Sequence, residues 1–298
     1  MRWIALLLLV APFAVADGPP TWPGWRGADR TGVSSEKGLS KSWPKEGPKL
    51  LWTCEGLGEG YSTPSVAGDR LFVMGALKGE EYVHAIDTAS GKIVWSRKVG
   101  KVGENIGPSY PGPRATPAID GDRLYALGSD GDLVCLRRDS GEVVWARHLV
   151  REFSGNRGPW AYTESPLIDG DAIVCTPGGP KAAMLKLDKK TGKEVWRTPI
   201  ETANVAGYSS AVVAEVGKRR LYITFMGAAL VGIDAATGEL LWKYRKNVGG
   251  VNAMTPIVLG DLVFASAAMS DPWPMERFCH FSSPVMKSRQ ARPTDPVP

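Results

Sequence analysis

Along most of this chain the hydrophobic residues fall in short, β-branched runs broken by Gly, Asp and Pro, and these runs recur. Thr63-Pro64-Ser65-Val66-Ala67-Gly68-Asp69-Arg70-Leu71-Phe72 returns as Thr116-Pro117-Ala118-Ile119-Asp120-Gly121-Asp122-Arg123-Leu124-Tyr125. It returns again from Ser165-Pro166 to Ile173-Val174, more loosely from Ser210-Ala211 to Leu221-Tyr222, and from Thr255-Pro256 to Val263-Phe264. In the good copies Gly-Asp divides two apolar runs, which is the turn chemistry of a tight antiparallel hairpin and predicts strands one and two of a unit. Strands three and four follow by the same logic, as in Tyr82–Ile86, the turn Asp87–Gly91 and Lys92–Trp95. Such a turn uses glycine for positive φ and aspartate as an acceptor for backbone N–H groups.

Four times the turn glycine is followed four residues later by tryptophan: Gly91 and Trp95, Gly141 and Trp145, Gly192 and Trp196, Gly238 and Trp242. The period is about 50 residues, the length of four strands of about five residues with their turns and a link. An antiparallel four-strand unit at this spacing predicts an all-β protein, a β-propeller, with the tryptophans as core between blades. Helical solenoids are disfavoured because the apolar runs are short and β-branched. A β-sandwich would leave the common register of five copies to chance.

The pattern Ala85-x-Asp87-x-x-x-Gly91-x-x-x-Trp95 resembles the tryptophan-docking motif of the PQQ-dependent dehydrogenase propellers and their cofactor-free relatives, the PQQ-like repeat proteins. The resemblance covers about residues 21–265. The other copies depart from it, with Cys135 and Arg137, Lys186 and Asp188, and Gly232 and Asp234 at the Ala and Asp positions. Each tryptophan is followed by Ser96, Ala146, Arg197 or Lys243 and never by Asp, which fits WD40 repeats poorly. Family propellers have seven or eight blades, whereas this chain supplies four complete blades and a partial fifth. The expectation is an incomplete propeller, with Leu50-Leu51-Trp52 as an outer strand that would close a last blade.

The organisation expected is therefore a signal peptide over 1–16, an N-terminal strap over 17–48, repeats over 49–265 and an irregular, proline-rich tail over 266–298. Met1-Arg2, the apolar run Trp3–Val10 and the small residues Ala14-Val15-Ala16 form the signal, with cleavage near Ala16 and export to the periplasm or outside the cell. That run is too short to span a bilayer. Trp22-Pro23-Gly24-Trp25-Arg26-Gly27 resembles the entry segment of exported members and is read as an aromatic strap over the propeller face. Export permits disulfides, and the four cysteines Cys54, Cys135, Cys175 and Cys279 allow three full pairings. Cys135 and Cys175 lie in apolar strand runs, where a small buried thiol is the expected role. The three histidines, His84, His148 and His280, are scattered and show no metal-ligand spacing. The net charge of +5 is spread among turns, and the lysines around Lys189 read as a solvated hairpin, so no nucleic-acid partner is expected.

Any chemistry should lie where the first strands converge on a central channel. The residues preceding the Thr-Pro and Ser-Pro signals, Tyr61, Arg114, Glu164, Tyr208 and Asn252, with Trp160 nearby, are the candidate mouth. The resemblance implies that Arg could hold the carboxylates of a quinone and that Glu164 and Asn252 could hold calcium, an ion that takes oxygen ligands. Against that, no two cysteines are adjacent, no Cys-x-x-Cys-His heme motif is present, and no catalytic aspartate base can be placed. Two function classes follow. One is an exported scaffold that binds protein partners through loops or blade edges. The other is a periplasmic quinoprotein oxidising an alcohol or sugar with PQQ and calcium.

Overall fold

The structure is a computed structural model that describes residues 21–104, 110–201, 205–245, 252–260, 262–266, 279–280 and 289–290. The signal segment, its cleavage site and most of the 266–298 tail lie outside the described residues.

Four antiparallel sheets follow one another in chain order. Blade one is β2 (Ser65–Ala67), β3 (Arg70–Leu77), β4 (Glu80–Asp87) and β5 (Ile93–Lys101), extended at its inner edge by β1 (Thr21–Trp22) from the strap. Blade two is β6 (Ala118–Asp120), β7 (Arg123–Leu127), β8 (Asp132–Arg137) and β9 (Val143–His148), followed by a single helical turn α1 (Leu149–Phe153). Blade three is β10 (Leu167–Asp169), β11 (Ala172–Cys175), β12 (Met184–Asp188) and β13 (Glu194–Thr198). Blade four is β14 (Val212–Val216), β15 (Arg219–Phe225), β16 (Ala229–Asp234) and β17 (Leu240–Arg245). The fifth unit holds two strands, β18 (Ile257–Leu259) and β19 (Leu262–Phe264), and within the tail β20 (Cys279–His280) pairs with β21 (Arg289–Gln290). In the Gly-Asp hairpins glycine alone takes positive φ, at Gly68, Gly121 and Gly170, the placement of a II′-type two-residue turn.

The repeat works between blades, not within them. The rings of Trp95, Trp145 and Trp196 each lie flat on the turn glycine of the following blade. A Cβ on Gly141 would fall 2.7 Å from the Trp95 ring, on Gly192 2.7 Å from Trp145, and on Gly238 2.7 Å from Trp196. The indole N–H then donates to a carbonyl of the same turn: Trp95 to Arg138 (3.2 Å), Trp145 to Lys189 (3.0 Å) and Trp196 to Ala235 (3.3 Å). Two residues beyond the tryptophan a third bond reaches the glycine carbonyl, from Arg97 Nε to Gly141 (2.7 Å), Arg147 Nε to Gly192 (2.8 Å) and Thr198 Oγ1 to Gly238 (2.6 Å).

Trp52 uses the same lock. Its ring sits over Gly91, 2.5 Å from where a Cβ would be, and its N–H donates to Thr88 O at 2.9 Å. Leu50–Trp52 forms no ladder with the fifth unit among the described residues, and its tryptophan docks on blade one as the tryptophan of a preceding blade would.

The departures at the Ala position have a physical reason. Ala85, Cys135, Lys186 and Gly232 each pair directly across the ladder from their own tryptophan, beside a bulge. Lys186 fits there because its chain passes near the Trp196 and Tyr222 rings and its ammonium donates to Ala235 O of blade four at 2.7 Å. With Lys189 bound to Asp120 of blade two at 2.6 Å, two lysines of the expected solvated hairpin serve contacts between blades. Trp242 packs over Gly232 of its own sheet, where a Cβ would come within 2.1 Å of the indole.

Buried apolar side chains form three clusters: one from Phe72 and Val83 through Leu124 and Leu136 to Ile173, a second joining blades three and four, and a third joining blade four to Val263 and Ala265. Cys135 and Cys175 are buried free thiols within this core, and Cys54 is also free.

Glycines with similar dihedrals separate docking from backbone freedom. Gly121 has φ +56° with open space around it, and Gly141 has φ +68° under Trp95. Gly121→Ala should cost about 1–2 kcal/mol, the left-handed penalty alone. Gly141→Ala should cost at least about 2 kcal/mol more because the ring must lift. Equilibrium urea unfolding of the two variants measures the difference.

Candidate functional site

The first strands begin with a rung of hydroxyl-bearing residues that ties blade to blade. Thr116 N–H donates to Ser165 Oγ and Ser165 N–H to Ser210 Oγ, each at 2.9 Å, while Trp25 Nε1 of the strap donates to Thr255 Oγ1 at 3.0 Å. Above this rung four of the six candidate side chains, Tyr61, Arg114, Trp160 and Tyr208, come together, and Asn252 joins them through its backbone carbonyl. Tyr61 N–H donates to Pro113 O at 2.8 Å, and Tyr208 N–H to Asn252 O at 3.1 Å. The Arg114 guanidinium lies 5.9 Å from the Tyr61 ring and donates to Trp160 O (3.1 Å) and Tyr110 O (2.5 Å). Trp160 and Tyr208 meet edge to face at 5.8 Å, as do Tyr61 and Tyr110. Tyr61 is 56 % and Tyr110 48 % exposed, so the rim presents aromatic surface around an arginine. Burial pulls the Arg114 pKa below its ordinary value, and nearby Tyr61, Glu81 and Tyr208 act the other way.

Glu164 stands apart from this rim. It falls one residue nearer the Ser-Pro signal than Tyr61, Arg114 and Tyr208 do to theirs, and alternation along an extended chain turns it to the opposite side. Its slot is that of Ser62 and Ser209, whose hydroxyls accept the Met74 and Phe225 N–H groups of their second strands at 3.1 and 3.4 Å. Glu164 Oε1 does the same for Thr176 N–H at 2.5 Å. The carboxyl is fully buried, its Oε2 lacks a hydrogen-bond partner, and burial pushes its pKa up to about 7. Asn252 is also buried, with Nδ2 donating to Met226 O (2.8 Å) and Gly227 O (3.1 Å) and Oδ1 unpartnered.

Arg30 was not singled out by its sequence context. The strap carries it across the inner ends of the blades: Trp22 pairs with Val66, Pro23 O accepts Ile119 N–H at 2.7 Å, and Arg30 donates to Ala211 O at 2.8 Å, to Ser165 O at 3.1 Å and to Pro166 O. Burial lowers its pKa to about 10, with Glu164 opposing the shift.

A second polar cluster lies between blades one and two. Asp130, Asp132 and His148 bring their ligand atoms within 4.8 Å of one another. Three cations already face it: Arg157 at 3.1 Å and Lys101 at 3.6 Å from Asp130, and Arg151 at 3.7 Å from Asp132. His148 Nδ1 accepts Arg151 N–H at 3.3 Å, so in the neutral ring Nε2 keeps its proton and points it at Asp130, 3.6 Å away, instead of offering a lone pair to a metal. Glu81 completes the cluster. Its carboxyl is buried on Ser129, accepting from Oγ (2.5 Å) and N–H (2.8 Å), and burial lifts its pKa to about 7 despite those bonds.

These sheets and their tryptophan locks define a propeller of PQQ-type repeats. The chain belongs to the family described as outer membrane protein assembly factor BamB, whose profile matches residues 18–105 and 79–271. It is 28 % identical over 249 residues to the outer membrane protein assembly factor BamB of Burkholderia pseudomallei, covering 71 % of this chain and 63 % of that protein. It is also 28 % identical over 162 residues to a polyvinylalcohol dehydrogenase of Sphingopyxis, covering 45 % of this chain and 22 % of the enzyme. The crystal structure of the quinohemoprotein alcohol dehydrogenase from Comamonas testosteroni superposes with a TM-score of 0.63 at 15 % identity, over 92 % of this chain and 49 % of that one, and shares the fold. The chain thus spans less than two thirds of these proteins. Among the described residues no helix is long and apolar enough to cross a membrane.

Arg114 and Glu164 do not face one common site for a quinone with calcium, and the buried oxygens without a partner are Glu164 Oε2 and Asn252 Oδ1. Arg114 is spent on two carbonyls of its own rim, Glu164 faces away from that rim toward Thr176, and the cation beside Glu164 is Arg30.

Both raised carboxyls give a pH signature. A carboxyl whose folded pKa lies above its unfolded value stabilises fully below about 4.5 and loses that contribution as pH rises to about 7. Stability attributable to Glu81 and Glu164 should therefore fall across pH 4.5–7, on the order of 3 kcal/mol for each. Glu81→Gln should flatten that fall in denaturation curves taken at pH 5 and pH 7.5.

Proposed function

We propose that the chain is an exported protein-binding scaffold acting in outer membrane protein assembly, without a catalytic centre of its own. Family membership with the BamB-type assembly factors supports the reading, and the observation that carries it is the state of the channel mouth. Its donors are spent on neighbouring carbonyls, through Arg114 and Asn252, and Glu164 accepts the Thr176 amide. What the rim offers outward is the aromatic edge of Tyr61 and Tyr110 beside Arg114 and Trp160. Tyrosine, tryptophan and arginine are the side chains that dominate binding energy at protein interfaces, because they bury much surface at small entropic cost.

Two measurements test this reading. In cells lacking the gene, outer membrane protein levels should fall, and wild type should restore them. Tyr61→Ala with Tyr110→Ala should restore them several-fold less well while leaving the thermal midpoint of the purified protein unchanged. Purified protein given PQQ and calcium should show no dye-linked alcohol oxidation; activity lost on Asn252→Ala would replace the scaffold with a quinoprotein.

A further inference from the structure

Glu164 holds more charge than its position needs. In blades one and four a serine hydroxyl suffices to accept the second-strand N–H, through Ser62 and Ser209. Blade three spends a carboxylate on the same bond, with Oε2 left buried and unpartnered. Burying an isolated carboxylate is costly unless a counter-charge is near. Arg30 meets the converse problem. Its guanidinium is satisfied as a donor by Ser165, Pro166 and Ala211, but those carbonyls are neutral and leave its charge uncompensated. The two groups form no direct ion pair, but Arg30 is fixed on the carbonyls of Ser165 and Pro166, the two residues that follow Glu164, and Tyr162 and Cys175 are the other titratable groups facing Glu164.

The strap holds Arg30 in this position by its backbone. Arg30 itself takes φ +55° and Gly32 takes φ +76°, with Gly32 N–H bonded to Arg26 O at 2.9 Å. The segment between Trp22 and Gly32 is thus a compact loop that carries a cation from blade one, through contact with blade two, to the inner carbonyls of blades three and four.

We propose that Arg30 and Glu164 are a buried charge couple that locks the strap into the centre of the blade array, so that the channel carries a cation of its own where a ligand cation would otherwise be needed. The strap is then a tethered plug, and Glu164 is a positioning residue for it.

The test is a double-mutant comparison of thermal midpoints at pH 8. Arg30→Ala should lower the midpoint by several degrees and give the protein a calcium-dependent stabilisation that wild type lacks. Adding Glu164→Gln to Arg30→Ala should recover part of the loss and abolish the calcium response. Equal midpoints for the single and double variants would overturn the couple, as would a wild type that calcium stabilises through Glu164. If Arg30→Ala does not accumulate, Glu164→Gln alone decides: tryptic cleavage after Arg26 and Arg30 should become several-fold faster than in wild type. Unchanged cleavage would contradict the plug.

Discussion

A tryptophan ring laid flat on a glycine of the next blade is the constraint on which the rest of this structure depends. The contact tolerates no Cβ, since one would stand 2.5–2.7 Å from ring carbons in all four copies. It also needs an acceptor, because a buried indole N–H without a partner is costly, and the turn carbonyl supplies one each time. Ring, glycine and carbonyl together fix the distance and tilt between neighbouring sheets. An apolar cluster can then form in each gap without any sheet being rigid alone.

The inner ends of the blades inherit that geometry. Once the outer turns are locked, the first strands converge closely enough for one blade's backbone to reach the next blade's serine, and for a single short strap to touch several blades at once. The donors that a sequence would nominate for chemistry are taken up in this convergence, leaving Glu164 Oε2 and Asn252 Oδ1 without a partner. Arg114 and Asn252 bind carbonyls, Glu164 binds an amide, and the cation beside Glu164 arrives from the strap. The surface left exposed there is the aromatic rim, the face that the proposed scaffold would present to a protein partner.

The architecture was legible because each part of the lock demands one residue type at one spacing. Glycine, tryptophan and the Gly-Asp hairpins cannot be replaced freely, so blades and strands appear in the chain as a repeat. The Ala position was less legible because the pair across the ladder accepts anything that fits beside the ring, including Lys186 and Gly232. The site was read only in part. Tyr61, Arg114, Trp160 and Tyr208 do meet, with Asn252 reaching them by its backbone, but Glu164 was grouped with them although a shift of one residue turns an extended side chain to the other face. Arg30, and the cluster of Glu81, Asp130, Asp132 and His148, left no local signal. Their partners come from other blades and become neighbours only after docking.

The central claim is that docking between blades, more than the strength of any one sheet, holds the array. Hydrogen–deuterium exchange of Trp145→Ala tests it most directly. Loss of protection should appear both in β9, which carries the tryptophan, and across the gap in the Asp188–Gly192 turn of blade three, whose carbonyl and glycine it holds. Loss confined to β9, with the blade-three turn as protected as in wild type, would contradict it.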